Sequence, residues 1–441
     1  MRRRTVLQLM GTCAFGAAFS HLGLYSPLPL TFHADANGEA PKRMVFILLR
    51  GGWDSALGTD PIIGEKISGG YEPDYQSVVP VAVPGKSNLV VGAGLAAATG
   101  AFASIPTAFV NGMFMEVTAH SLAEYYMYSG RLSLSLSREY PALGALFARK
   151  RGGFPSHLVL GARMPLGDTV QAAPPIHTSD LNELSKMLNG PHETANGASG
   201  ASFQLVEDFI KRADLEFGEG KVAESSLLLE PWINSQASLS SLYNADFGSK
   251  LALSPETRDR YGIPQNRFSG IEAYLAGTYL ALKNNLTNVV TLNVGGFDTH
   301  QDHLNNHVPL LNSVAEALNV FVKDLRETPD PLDPSRSLAD GTLICVTSEF
   351  VRTPMFNGQN GTDHWRSASA ILMGNGVKDN VVLGKTDSNG EPLGWREGRP
   401  QVATEETHLL PNHFAASLLD HLGMPEEANE ISTERLNGLF E

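Results

Sequence analysis

The chain has 441 residues, 42% of them hydrophobic, with 43 glycines, 26 prolines and a formal net charge of -14 at pH 7. That length supports a large core. The acidic balance excludes sequence-independent nucleic-acid binding, which requires clustered Lys and Arg to displace counterions. With Cys13 and Cys345 its two cysteines, the chain cannot be a disulfide-stapled scaffold.

Taken in chain order, "MRRRTVLQLMGTCAFGAAFSHLGL" puts a basic cluster before a weakly apolar stretch, and "HADA" offers a small-x-small cleavage site at Ala34 and Ala36. Residues 1–36 read as a signal peptide, with Arg3 and Arg4 matching the twin-arginine export pattern. The expected partner during export is the twin-arginine translocase, and the expected location is periplasmic or extracellular, with the signal peptide removed. Gly11, Gly16, Ser20 and His21 interrupt the apolar stretch, so a stable membrane anchor is not expected.

The remainder, 37–441, is expected to form a single domain. The runs "RMVFILLRGG" (43–52), "IPTAFVNG" (105–112), "SHLVLG" (156–161), "NVVTLNVGG" (288–296), "TLICVTS" (342–348) and "SAILMG" (369–374) have the character of strands covered on both faces. Between them, 118–130, 140–153 and 305–327 carry apolar residues at helical spacing. The alternation predicts an α/β fold, a doubly wound and mostly parallel sheet. Residues 60–100 read as an irregular excursion or small hairpin layer, and about 180–285 as a helical insertion.

Three predicted strands deliver an acid near their C-terminal ends: Asp54, Asp298 and Glu349. Ligands of open α/β sheets bind at those ends, and carboxylates gathered there resist ionisation unless a cation joins them. His300 in "FDTHQDH" and His364 in "NGTDHW" are placed to complete a site, and mixed nitrogen and oxygen donors favour a divalent transition metal, Zn, Mn or Fe, as one or two ions. Asp54 is equally readable as a turn former or helix N-cap. His303 and His307, four residues apart, form either a metal pair or, as "NNHVP" favours, a solvated helix face.

Candidate catalytic groups cluster at "VTAHSLAEYY". Ser121 lies at a helix start, where free N–H groups attract anions, and His120 beside it is a candidate acid or ligand. Against this, Thr118 can serve as an N-cap with Glu124 nearby, leaving Ser121 a first-turn residue. Ser55 is a second candidate nucleophile. Arg352 is placed either to clamp an anion bidentately or to pair with Glu349.

Together, "ILLRGGWDS", "NVGGFDTHQDH", "TSEFVRT" and "NGTDHW" behind a twin-arginine signal resemble the secreted bacterial family called domain of unknown function 1501, grouped with the alkaline phosphatase and sulfatase superfamily. The resemblance spans about 43–425. It implies an alkaline phosphatase-like fold with a metal site at the strand ends, Asp54 serving one metal, Asp298 and His300 the other, His364 also binding metal, and a nucleophilic hydroxyl near Ser121. The implied activity is metal-dependent hydrolysis of phosphate or sulfate esters, on a small anionic ester or glycan-linked substrate. The alternative is a secreted binding or assembly protein that keeps the fold. The chain departs from the pattern where hydrolytic members carry Asp-His and it has Glu349-Phe350, and where Val351 replaces glycine.

Overall fold

The computed structural model describes residues 43–61, 80–133, 140–151, 157–162, 175–188, 247–387, 389–396, 399–401 and 407–441. The export signal expected over 1–36 lies outside them, as do residues 189–246 of the expected helical insertion.

The sheet has eight strands: β1 (Arg43–Leu49), β2 (Thr107–Phe114), β3 (His157–Gly161), β4 (Ile176–Thr178), β5 (Val289–Val294), β6 (Thr342–Thr347), β7 (Ser367–Gly374) and β8 (Val381–Leu383), in spatial order β8-β2-β7-β6-β1-β5-β3-β4. Every neighbouring pair is parallel except the two made by β7, which runs antiparallel between β2 and β6. The fold is thus α/β, with a mostly parallel sheet. The run that becomes β7 reads the same in either direction, so its reversal left no mark on the residue pattern.

The central strands bury both faces, as β1 illustrates. Val45, Ile47 and Leu49 join one hydrophobic cluster with the helices α3 (Ile271–Lys283) and α4 (His303–Glu327). Met44, Phe46 and Leu48 join another with α1 (His120–Ser129), α2 (Leu143–Arg151) and α5 (Pro411–His421). Helices on both faces follow from this period-2 alternation of wholly apolar strands. In the region 60–100, the described part includes a short antiparallel pair, Val81–Ala82 with Val90–Val91. Among the described residues, no helix is long and apolar enough to cross a membrane.

Strand order positions the site. β1 lies between β5 and β6, with Leu49 level with Val294 and Leu48 level with Thr347. The segments leaving these neighbouring C-terminal ends carry Arg50 to Asp54, Asp298 to His300, and Glu349 to Arg352. Gly51 and Gly52 make the exit from β1 with φ of 118° and 84°. A Cβ on Gly51 would overlap the backbone of Phe297 and Asp298, and one on Gly52 would lie 2.7 Å from the Phe350 ring. Only glycine permits both this conformation and this closeness.

Candidate metal centre

Asp298, His300 and His364 converge at the strand ends. His300 Nε2 lies 3.0 Å from both His364 Nε2 and Asp298 Oδ1, and His364 Nε2 lies 3.1 Å from that same oxygen. The outer ring nitrogens settle the tautomers. His364 Nδ1 is 2.9 Å from the carbonyl of Thr118, and His300 Nδ1 is 3.0 Å from Asp363 Oδ1. Both partners are acceptors, so each Nδ1 carries a proton, and in the neutral form of each ring the Nε2 lone pair faces inward.

His120, the first residue of α1, repeats the pattern. Its Nδ1 donates to Glu349 Oε1 at 2.8 Å, while Nε2 has no hydrogen-bond partner and faces Asp298 Oδ2 at 3.3 Å. The hydrogen bond to Glu349 raises the pKa of His120 against the opposing effect of burial. For His364, burial dominates and lowers the pKa. Burial opposes ionisation of Asp298, but the adjacent His364, His120, His300 and Arg352 overcome it, leaving that carboxyl below its usual range.

Phe350 forms the apolar wall. Its buried ring lies 5.0 Å from His120 and 4.5 Å from His364, between centroids, and the two imidazoles meet edge to face at 4.4 Å. Glu349 is also buried, accepting from the Gly51 N–H at 2.7 Å and the Ser348 hydroxyl at 3.0 Å. Arg352 is inaccessible: Nε donates to Thr362 Oγ1, Nη2 to the Thr362 carbonyl, and Nη1 to Gly51 O and Asp298 Oδ1. It therefore holds Asp298 in place, and its pairing is with Asp298 instead of Glu349.

Asp54 enters a separate, buried network. Its backbone N–H donates to His307 Nε2 at 2.9 Å, which fixes the proton of that ring on Nδ1; Nδ1 then donates to Thr299 Oγ1 at 3.0 Å. The Thr299 hydroxyl donates to His303 Nδ1 at 2.6 Å, and His303 Nε2 donates to Asp54 Oδ2 at 3.0 Å, closing the ring. The other Asp54 oxygen accepts from the N–H groups of Ala56 and Leu57. Burial, helped by the neighbouring His303, drives the pKa of His307 well below its ordinary value. The solvated face expected for His303 and His307 is corrected here, since both are fully buried. The covering chain is the 357–362 loop, where Asn360 O accepts from the His303 N–H.

The structure thus brings Asp298, His300 and His364 together, with His120 against them and Glu349 behind His120, while the Asp54 carboxylate is engaged elsewhere. Ser121 is exposed in the first turn of α1. The N-cap of α1 is Ala119, without a side-chain cap, in place of the expected Thr118. Glu124 instead turns to Arg50, whose Nε donates to Glu124 Oε1 at 2.7 Å. Arg50, Glu124, Thr299 and Thr362 had no distinguishing signal in sequence, since each needs a partner distant along the chain.

The donor set fits a divalent transition metal. Two lone pairs and a carboxylate oxygen form a triangle with sides of 3.0 to 3.1 Å. These acceptors repel unless a cation or proton lies among them, and tetrahedral zinc with ligands at about 2.0–2.1 Å spaces its donors about 3.3 Å apart. Acceptors behind the outer ring nitrogens are the usual support for metal-binding histidines. Two further triplets of ligand atoms among the described residues lie within 4.8 Å of one another: His120, Asp298 and His364, and His120, Glu124 and Glu349.

Residues 253–427 match the family described as "Protein of unknown function (DUF1501)". No curated protein matches the chain. Among solved structures, the lipoteichoic acid synthase LtaP from Listeria monocytogenes is similar at 9% identity and a TM-score of 0.34, covering 80% of this chain and 71% of its own. The PH0037 protein from Pyrococcus horikoshii is similar at 11% identity and a TM-score of 0.29, covering 77% of this chain and 89% of its own.

Proposed function

We propose that the protein is an exported, divalent-metal-dependent hydrolase of phosphate or sulfate esters, a single alkaline phosphatase-like domain over 37–441 behind a cleaved signal over 1–36. The observation that carries the reading is the inward-facing set of acceptors: His300 Nε2, His364 Nε2 and Asp298 Oδ1 within 3.0 to 3.1 Å of one another at the strand ends. These three residues would hold the ion. When bound, it supplies Lewis acidity and neutralises charge on an anionic ester. Glu349 holds His120 with Nε2 toward the site, where it is placed to move a proton. Ser121, exposed one residue along the uncapped helix start, is the candidate nucleophile, with adjacent N–H groups to receive an anionic oxygen. Arg352 fixes Asp298 through its 2.9 Å bond. Phe350 favours a second reading, a secreted binding protein, because a ring that cannot ligate stands where the resemblance implies a histidine.

The test is metal content of the purified protein by mass spectrometry, followed by assays on aryl phosphate mono- and diesters and aryl sulfates with Zn²⁺ and Mn²⁺. The expected result is bound metal and turnover, both lost in His364→Ala. A metal-free protein, indifferent to added metal, overturns the proposal; bound metal without turnover on any ester selects the binding reading.

A further inference from the structure

The second triplet, His120 with Glu124 and Glu349, has ligand atoms within 4.8 Å of one another. Both carboxylates are buried, Glu124 at 3% and Glu349 at 0% exposure. Two such anions at this separation require a cation, whether metal, proton or side chain. One is present. The guanidinium of Arg50 places both Nε and Nη2 at 2.7 Å from Glu124 Oε1. A guanidinium stays charged at every working pH, and its planar fork suits a carboxylate.

Arg50 also differs from the other arginine of the site in its access. The Arg352 side chain is 0% exposed, whereas that of Arg50 is 33% exposed. With Nε and Nη2 engaged by Glu124, Arg50 retains Nη1 for a further acceptor. A fixed cation beside a metal centre, partly open to solvent, suits recognition of a tetrahedral oxyanion.

We infer that Arg50 occupies the place of a second metal ion, so that the chain holds one divalent ion, at Asp298, His300 and His364, and meets the anionic group of its ligand with the Arg50 guanidinium. This rests on the metal reading above, but it predicts a different quantity. Removing the guanidinium frees Glu124, which together with Glu349 and His120, once its Nδ1 proton is displaced, makes a second set of donors.

The test is zinc stoichiometry by native mass spectrometry after reconstitution and dialysis. The expected result is one ion per chain in the wild type and in Arg50→Lys, two in Arg50→Ala, and one again in Arg50→Ala/Glu124→Gln. Arg50→Gln, whose amide still donates to Glu124, serves if the alanine variant does not fold, with the same expected gain. Two ions in the wild type, or no gain on removing Arg50, overturn the inference while leaving the metal reading standing. No ion in the wild type but one in Arg50→Ala overturns the metal reading and supports the role of Arg50 at the second triplet; no ion in either overturns both. Inorganic phosphate binding to the zinc-loaded double variant, measured by calorimetry, is expected to weaken about tenfold, the loss of one charge-assisted hydrogen bond. Unchanged affinity overturns the anion-binding role.

Discussion

Thr299 lies between two residues of the candidate metal centre, and its hydroxyl closes the buried ring beneath them. Oγ1 accepts from His307 Nδ1 at 3.0 Å and donates to His303 Nδ1 at 2.6 Å. Thr299→Val keeps the shape and removes both bonds. The histidines then fare unequally: His303 Nδ1 retains Thr362 Oγ1 at 3.0 Å, whereas the His307 Nδ1–H loses its partner in a fully buried position. One stranded donor costs about 1–3 kcal/mol and the lost bond to His303 about 1 kcal/mol more, so the expected destabilisation is about 2–4 kcal/mol. Asp298 and His300 flank the substituted residue, and loosening such support weakens metal binding about 10- to 100-fold. Urea unfolding measures the first effect and zinc titration against a competing chelator the second. Thr299→Ser retains the oxygen and should restore both. A valine variant within about 0.5 kcal/mol of wild type, or one that loses stability with unaltered zinc affinity, would refute the coupling.

Two further outcomes follow from residues away from the candidate metal centre. His157 is buried, and burial lowers its pKa to about 3. Its contribution is therefore complete above the unfolded value of about 6.5 and declines as pH falls toward the folded value, because the unfolded chain takes up a proton that the folded chain refuses. Between about pH 6.5 and 4.5 this amounts to about 2 kcal/mol; equilibrium unfolding of His157→Gln should show a pH dependence shallower by that amount, and parallel curves would contradict it. Gly51→Ala combines a φ of 118° with overlap against the Phe297 and Asp298 backbone, so unfolding measurements should register a loss of about 2–6 kcal/mol; a neutral alanine would show that the closeness of the two strand exits is not required.

The sheet was legible because strands buried on both faces must be apolar throughout, and "MVFILL", "VVTLNV" and "TLICV" are. Loops at the strand ends carried Asp298, His300 and His364 visibly, since polar residues immediately after such strands stand out. Direction and partner choice were not legible. Nothing in "SASAILMG" marks β7 as antiparallel. "NNHVP" looked solvated because its neighbours are polar, yet the side of α4 that carries His303 and His307 is closed by a loop 50 or more residues later, where Thr362 reaches His303. Arg50 and Glu124 are likewise 74 residues apart, and neither charge means anything without the other.

Phe350 brings the chemistry of the site to one comparison. Its ring adjoins both His120 and His364, at 5.0 and 4.5 Å, so the same apolar wall desolvates two imidazoles that have different partners. His364 Nδ1–H donates a hydrogen bond to a neutral carbonyl, and burial, the dominant effect, makes the ring harder to protonate. His120 Nδ1–H donates a hydrogen bond to the buried carboxylate of Glu349, which outweighs burial and makes the ring easier to protonate. Metal competes with protons for imidazole nitrogen, so under the proposed function His364 suits the part of a ligand and His120 that of a proton carrier. Environments that push two neighbouring groups in opposite directions assign them different tasks. Phe350, which touches both rings, thus lies where two neighbouring imidazoles are pushed in opposite directions.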